Sequence, residues 1–148
     1  MKRRIGLLIV SAVVLLVTAV PVFAVTNGTP DGDAHPYVGL MVADDADGNP
    51  LWRCTGTLIS PTVFLTAGHC TEAPAAGATI WFDEDVEGGI PGNGYPFEGD
   101  VDGTTYTHPD YDPNAFFLYD LGVVELDSPV ELDEYGALPE LGVLDSLK

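Results

Sequence analysis

The sequence predicts an all-β fold, arranged either as a barrel or as a sandwich. Beyond residue 24, helical periodicity is absent. Short apolar stretches are instead separated by clusters of glycine, proline, asparagine and aspartate, a spacing typical of many short strands joined by turns. The 148 residues suffice for one ordinary domain, so we expect a single β-domain with short additions at its ends.

The first 24 residues differ from the rest and predict a secretory signal peptide. Lys2, Arg3 and Arg4 form a basic start, and residues 5–20 are almost wholly apolar. The segment ends at Ala24 with small residues at the spacing that signal peptidase recognises. Ala19 offers a second cleavage point. The alternative is a membrane anchor, but the run is shorter than the about 20 apolar residues that a bilayer span needs. We therefore expect secretion, with no stable membrane association after cleavage.

The strands of the predicted β-domain follow in order along residues 25–130. Two of them are well marked: residues 63–66 are rich in β-branched and aromatic side chains, and residues 121–126 form an apolar run that suits a buried strand. Residues 83–94 and 100–103 are predicted to be a loop and a turn, and residues 131–148 a connecting segment. The full set of predicted strands is 37–42, 51–59, 63–66, 78–82, 95–97, 104–107 and 121–126.

Charge excludes one class of partner. Three of the five basic residues lie in the first 24 positions and all 23 acidic residues follow, so the remaining 124 residues carry a formal charge of −21. Such a surface repels phosphate backbones, which argues against nucleic acid. It also repels itself at low salt, which a saline habitat would explain; a generally acidic secreted protein is the equal alternative.

The two cysteines, Cys54 and Cys70, predict a disulfide. An oxidising compartment outside the cell favours pairing, and a bond closing a loop of this size contributes about 3 kcal/mol. The alternative is a metal site, for which His69 alone does not complete a ligand set.

The most informative stretch, residues 54–70, brings a histidine to the end of an apolar strand. Ala67 and Gly68 are small enough for close backbone packing, and Cys70 adjoins His69. A cross-link at the next residue would hold the imidazole in place, as a general base requires. Free histidine titrates near pH 6.5 and can accept and return a proton near neutrality.

The motif from Thr66 to Cys70, Thr-Ala-Gly-His-Cys, resembles the histidine motif of the chymotrypsin/trypsin family of serine endopeptidases. Residues 56–59 resemble the strand that precedes it. The resemblance implies a single antiparallel β-barrel, corresponding to the N-terminal barrel of a two-barrel protease. It also implies peptide-bond hydrolysis on a protein or peptide substrate without a cofactor, with His69 as general base and then general acid.

The same resemblance assigns the orienting aspartate to Asp120. Residues 120–126 resemble the family's aspartate and following apolar strand, and residues 107–111 resemble the upstream segment. An acid at the mouth of a buried strand can fix the tautomer of a histidine and stabilise its protonated form. Asp110 and Asp112 are rivals, but neither leads into an apolar strand. A solvated acid at a strand end is the alternative role.

Val25 resembles the family's β-branched mature N-terminus, whose amine orders the active site. Ala24 precedes it where zymogens of the family have arginine or lysine, so removal of the signal peptide would itself release this terminus. A terminus without a role, left by signal cleavage, is an equal alternative.

The nucleophile expected from the resemblance is missing. No Gly-Asp-Ser-Gly-Gly segment occurs, and Ser60, Ser128 and Ser146 lack its flanking glycines. We therefore expect residues 25–130 to form the first barrel and residues 131–148 to begin the linker to an absent C-terminal barrel. On this interpretation the 148 residues alone are an inactive piece of a protease. The alternative is a non-catalytic secreted binding or inhibitory module built on one barrel.

Two groups of residues are candidate metal ligands, the histidines and the acids of one loop. His35, His69 and His108 do not have zinc-site spacing, and no metal is predicted from them. The acidic segment 83–87 lies where some family members bind calcium, and its carboxylates suit that ion. A solvated acidic loop is the favoured alternative. The acids concerned are Asp83, Glu84, Asp85 and Glu87.

Overall fold

Six antiparallel strands close into one barrel in the structure, a computed structural model that describes residues 30–146. The strands are β1 (Val38–Asp44), β2 (Pro50–Ser60), β3 (Val63–Thr66), β4 (Gly77–Trp81), β5 (Val101–Thr107) and β6 (Gly122–Leu126). Their order around the barrel is β1-β2-β3-β6-β5-β4, and β1 closes it by pairing with both β2 and β4. The all-β prediction is confirmed, and of its two arrangements the barrel is the one formed.

Helical structure is limited to single turns between strands. Helix α1 (Gly68–Thr71) follows β3, and helix α2 (Val86–Gly89) lies within the acidic segment between β4 and β5. Short 3-10 helices occur at Gly32–Ala34, Pro113–Ala115 and Val143–Ser146. In the described part of the chain, no helix has the length and apolar character needed to cross a bilayer. The predicted signal peptide, its cleavage points and Val25 all lie outside the described residues.

Two local predictions around β5 are wrong. Residues 95–97, predicted as a strand, form a turn, because the indole N–H of Trp81 donates to the Asn93 carbonyl and the Trp81 ring packs against Tyr95. Residues 101–103, predicted as part of a turn, begin β5. Gly103 lies there so close to β6 that a Cβ would meet the Glu125 carbonyl, so this glycine permits strand packing and not a turn.

The core lies inside the barrel, where alternate residues of neighbouring strands meet. Burying one such apolar side chain contributes about 1.5–3 kcal/mol, so several of them outweigh any single surface contact. The largest core side chains with almost no exposed surface are Phe64, Met41, Leu58, Ile80 and Val124, while the equally buried Trp81 packs against Tyr95.

The segment after β6 packs back onto the barrel. Val130, Leu132 and Tyr135 contact the core, and the Tyr135 hydroxyl donates to the Val130 carbonyl at 2.9 Å. The Gly136 N–H donates to the Leu58 carbonyl on β2 at 2.8 Å. Residues up to 136 are therefore anchored to the barrel, while the predicted domain boundary at 130 stays a prediction.

Candidate functional site

Helix α1 positions His69 directly after β3. The Cys70 N–H donates to the Ala67 carbonyl at 3.1 Å and the Glu72 N–H to the Gly68 carbonyl at 2.9 Å, so the segment that carries His69 is a single helical turn. A Cβ on Gly68 would lie 3.1 Å from the backbone nitrogen of Leu121. The absence of a side chain at Gly68 thus lets the histidine turn approach the segment that carries Asp120.

The structure brings His69 and Asp120 together across 51 positions of sequence. The ring Nδ1 of His69 lies 2.9 Å from Oδ2 and 3.2 Å from Oδ1 of Asp120. The backbone N–H of His69 also donates to Oδ1 at 2.8 Å. One carboxylate therefore binds both the ring and the backbone of the histidine, which restrains the imidazole at two points.

The environment of Asp120 favours its ionised form. Partial burial acts to raise the pKa of Asp120, but the hydrogen bonds from the backbone N–H and the ring of His69 outweigh it, so the pKa lies below its usual value. The side chain of Asp120 is 24% exposed and that of His69 is 53% exposed. The carboxylate is thus more sheltered from solvent than the imidazole it contacts.

A tight turn presents Asp120 to the histidine. Tyr119 has a φ of 55°, in the left-handed region that a non-glycine residue rarely adopts, and the Leu121 N–H donates to the Tyr119 carbonyl at 2.7 Å. The His108 ring stacks on the Tyr119 ring at 5.3 Å, and the His108 N–H donates to the Leu121 carbonyl. Sequence analysis missed this support, because no residue pattern marks a strained tyrosine.

The disulfide and a tryptophan fix the other side of the histidine. Cys54 on β2 is bonded to Cys70 on α1, with their Cα atoms 6.1 Å apart. The indole N–H of Trp52 donates to the Cys70 carbonyl at 3.0 Å. Trp52 was missed from the sequence, although its position two residues before Cys54 places it on the same face of β2.

Thr71 ties α1 to the strands beneath it. Its buried hydroxyl donates to the Gly68 carbonyl at 3.1 Å and lies 2.9 Å from the Thr107 hydroxyl on β5. On the other side, Gly122 leaves no room for a Cβ between Thr71 and the Ala67 carbonyl. The histidine turn is thereby held from β2, β5 and β6 together.

The other acids and histidines predicted as candidates lie apart from this pair. Asp112 caps the 3-10 helix Pro113–Ala115 by accepting from the Asn114 N–H, which lowers the pKa of Asp112. The Asp110 backbone N–H donates to Nδ1 of His108, and His35 pairs with Asp31 at 2.9 Å. Within the described residues, none of these side chains is a hydrogen-bond partner of His69.

The four acids of the 83–87 segment are directed to four different partners. Three of these acids accept hydrogen bonds from residues outside the strands, and the fourth accepts one from an arginine on β2. The donors are Asn93 Nδ2 for Asp83, the Gly32 N–H for Glu84, the Gly88 N–H for Asp85 and Arg53 Nη1 for Glu87. A cation on this segment would have to compete with these contacts.

Of the three serines beyond residue 24, two have described side chains, and neither makes a hydrogen bond to His69. Ser60 ends β2, and Ser128 lies just after β6. Ser146 ends the last 3-10 helix. The described part of the site therefore consists of a histidine and an aspartate without a serine bonded to them.

The chain is similar to known proteins over most of its length. The family model described as Trypsin matches residues 28–143. The glutamyl endopeptidase of Bacillus licheniformis is 33% identical over 106 residues, covering 72% of this chain and 30% of the relative. Serine protease 1 of Drosophila melanogaster is 39% identical over 64 residues, covering 42% of this chain and 22% of the relative.

Among solved structures, HL collagenase superposes with a TM-score of 0.54 at 22% identity, over 72% of this chain and 43% of the collagenase chain. That likeness concerns the fold alone. The chain thus spans less than a third of the length of either curated relative and less than half of the superposed collagenase chain.

Proposed function

Because this chain belongs to the trypsin family of serine proteases, we propose that it supplies the histidine and the aspartate of a triad that hydrolyses peptide bonds. The observation that carries the proposal is the contact of 2.9 Å between Nδ1 of His69 and Oδ2 of Asp120. His69 is the general base and then the general acid, and Asp120 is its orienting partner.

The chemistry follows from the two nitrogens of the ring. When Nδ1 carries a proton and donates a hydrogen bond to Asp120, Nε2 of the neutral imidazole is left as an acceptor. A serine hydroxyl placed at Nε2 would lose its proton there as it attacks a carbonyl carbon. The charge that develops on the ring is then stabilised by the ionised Asp120, whose pKa lies below its usual value because the His69 hydrogen bonds outweigh its partial burial.

The difference in exposure between the two side chains supports this assignment. The His69 side chain is 53% exposed while the Asp120 side chain behind it is 24% exposed. A general base must be reachable by its substrate, whereas its orienting acid works best when shielded from water, which would compete for the ring. The disulfide, Trp52 and Thr71 hold the histidine turn, so little reorganisation is needed for the reaction.

The nucleophilic serine is proposed to come from polypeptide beyond residue 148. The sequence has no glycine-flanked serine, and it spans 30% of the length of the glutamyl endopeptidase. We assign residues 25–130 to the first barrel and residues 131–148 to the start of a connection. The missing partner is then a second barrel with the serine, the oxyanion hole and the specificity pocket, and the 148 residues alone hydrolyse no peptide bond.

The protein is also proposed to be secreted and to lose its signal peptide. A disulfide beside the site suits a protein that works outside the cell, where such bonds persist. Residues 1–24 are proposed to be removed as a signal peptide, leaving Val25 as the mature terminus. N-terminal sequencing of the secreted protein tests this directly, and a start at residue 20 would support Ala19 as the cleavage point instead.

The decisive experiment begins with the reading frame beyond the codon for Lys148. A continuing frame that encodes a serine flanked by glycines would allow the whole protein to be expressed and labelled with a fluorophosphonate. We expect labelling of that serine, with kcat reduced by roughly 10⁴-fold in Asp120→Asn, the size of effect known for the triad aspartate of this family. A stop codon directly after Lys148, or full labelling in Asp120→Asn and His69→Gln, would contradict the proposal. A soluble, monomeric product of such a stopped frame would favour the binding module.

A further inference from the structure

Two carboxylates from different strands contact one buried hydroxyl on the strand between them. The Thr79 hydroxyl on β4 lies 2.8 Å from Oδ1 of Asp102 on β5 and 3.2 Å from Oδ2 of Asp44 on β1. Strand register explains the first contact, because Thr79 pairs directly with Asp102. Asp44 pairs with Gly77, which lies on the same face of β4 as Thr79. Thr79 is 5% exposed, so the residue between the two acids is largely shielded from water.

The Thr79 hydroxyl cannot satisfy both carboxylates at once. A threonine hydroxyl carries a single hydrogen, and an ionised carboxylate can only accept. When both acids are ionised, the hydrogen goes to one of them and the other faces the lone pairs of Thr79 Oγ1. The contact with Asp102 is the shorter one and makes the better hydrogen bond. The Asp44 oxygen at 3.2 Å is then left without a hydrogen from Thr79.

One additional proton completes the row of three oxygens. A protonated Asp44 donates from Oδ2 to Thr79 Oγ1, and Thr79 then donates its own hydrogen to the ionised Asp102. Each of the two contacts now holds one hydrogen, and the pair of acids carries one negative charge instead of two. The proton comes from solvent, and the only bond that forms in the protein is the new O–H bond of Asp44.

The surroundings of this pair are acidic and contain no compensating positive charge. The cleft over this part of β4 is lined by the carboxylates of Asp44, Asp45 and Asp102, and by no other titratable side chain of residues 30–146. Segment 95–100 contributes only Phe97 to the lining. After β6, Asp127 reaches Asp102 through its backbone N–H, which donates to the Asp102 carbonyl at 2.9 Å. Three neighbouring negative charges therefore favour uptake of a proton.

Asp44 is the residue of the pair that takes the proton. Burial raises the pKa of Asp44, and the charges of Asp102 and Asp45 add to this, against the lowering effect of a hydrogen bond from Thr79. That lowering effect is lost whenever Thr79 donates to Asp102 instead. Asp44 is partly buried whereas Asp102 is exposed, so the remaining negative charge is better solvated on Asp102.

The geometry favours a proton over a metal ion at this position. Within residues 30–146, these acids do not belong to any set of three side chains whose ligand atoms lie within 4.8 Å of one another. A hard cation such as Ca²⁺ takes about six to eight oxygen ligands at about 2.3–2.6 Å. Two carboxylates on opposite sides of a hydroxyl do not form such a set.

We propose that Asp44 and Asp102 share one proton through Thr79, and that this proton makes a pH-sensitive link that joins β1 and β5 to β4. The link is separate from the proposed triad chemistry and does not depend on it. Because it is complete only when Asp44 is protonated, the folded chain binds more protons here than the unfolded chain. The link is therefore fully present below the usual aspartate pKa of about 4, and it is lost as the pH rises through the higher folded value.

Asp44→Asn in the 148-residue chain tests the effect on stability. Asparagine has the shape of the protonated acid, and its NH₂ group can donate to Thr79 at any pH, so the link becomes permanent. We expect the Tm of the variant to exceed that of the unmodified chain by roughly 3 °C or more at pH 8. This gain should shrink as the pH falls toward 4.5, because the unmodified chain then takes up its own proton.

Two further variants separate the shared proton from a general relief of charge repulsion. Asp47→Asn removes the same charge from the adjacent turn, where the exposed Asp47 side chain does not line the cleft, and it should change the Tm by less than about 1 °C at every pH. In a Thr79→Val background, the gain from Asp44→Asn should be clearly smaller, because the new NH₂ group has no hydroxyl to bind. Carboxyl ¹³C NMR of the unmodified chain needs no variant, and it should show Asp44 titrating at a higher pH than Asp47.

Several results would overturn the proposal. An NMR midpoint for Asp44 at or below that of Asp47 would show that no proton is held at neutral or mildly acidic pH. Equal Tm gains in Asp44→Asn and Asp47→Asn, or an undiminished gain in the Thr79→Val background, would show that only charge repulsion is relieved. A Tm that Ca²⁺ raises at pH 8 in the unmodified chain, but not in Asp44→Asn, would show that a cation occupies the cleft in place of the proton.

Discussion

Asparagine at position 120 keeps the shape of the aspartate and removes its charge. Asp120 accepts hydrogen bonds from both the backbone N–H and the ring of His69. In Asp120→Asn, one of the two oxygens becomes an NH₂ group that can no longer accept a bond from an N–H. The variant therefore removes both the charge and one of the two acceptors from the contact with His69.

The expected cost at neutral pH is about 2 kcal/mol in the free energy of unfolding. A hydrogen bond to a charged group contributes about 1.5–3 kcal/mol, and the ring contact is discounted because its imidazole is half exposed and screened by water. For an ordered unit of this size, a loss of about 2 kcal/mol lowers the Tm by roughly 8 °C. Urea unfolding followed by tryptophan fluorescence measures the free energy, since Trp81 is buried.

The pH dependence gives the sharper result. Hydrogen bonds from His69 outweigh partial burial and lower the pKa of Asp120 in the folded chain, so its contribution is complete above about pH 4, the usual aspartate pKa. The contribution is lost as the pH falls through the lower folded value, where the carboxyl becomes neutral like asparagine. The cost of Asp120→Asn should therefore be full at pH 7 and smaller at pH 2.

Asp110→Asn is the matched control, because in the described structure the Asp110 side chain makes no hydrogen bond. We expect it to change the unfolding free energy by less than about 0.5 kcal/mol. The reasoning is refuted if Asp120→Asn costs the same at both pH values, or costs no more than Asp110→Asn at pH 7.

Three further predictions concern the rest of the barrel. Thr105→Val should leave the free energy of unfolding in urea unchanged or raise it by up to about 1 kcal/mol, because the buried Thr105 hydroxyl has no hydrogen-bond partner among the described residues. A clear loss of stability would contradict this. Gly122→Ala should destabilise by about 2 kcal/mol, since its Cβ would press on the Ala67 carbonyl and the Thr71 hydroxyl; an unchanged Tm would show that α1 can move aside. Calcium should leave the Tm unchanged, because the acids of segment 83–87 are each engaged by a different protein group; a rise in Tm that chelation reverses would support the calcium loop instead.

The fold class and the family could be predicted from the sequence because the patterns that indicate them span only a few consecutive residues. Alternating short apolar runs and turn residues indicate strands wherever they occur, and the predicted strand 63–66 has the bounds of β3. The histidine motif is five consecutive residues, so its recognition needs no knowledge of distant contacts. The errors at residues 95–97 and 101–103 arose where Trp81 and β6 decided the local conformation.

The supports of the site could not be predicted in this way. The stacking of His108 on Tyr119 and the positive φ of Tyr119 leave no pattern in the sequence, and strand alternation places Trp52 on the face of Cys54 without showing its bond to the Cys70 carbonyl. Each depends on where two distant segments lie after the barrel has closed. The roles of His69, Asp120 and Val25 stay predictions that the experiments above address.

The sequence by itself thus determined the strand class, the cysteine pair and the positions of the candidate histidine and aspartate. Only the tertiary structure decided the strand order, the closure of β1 on β4, and the approach of His69 to Asp120 within 2.9 Å. The physical reason is that propensity and patterning act over a few residues. Distances between segments 51 positions apart are instead set by strand register and by how closely glycines let backbones approach.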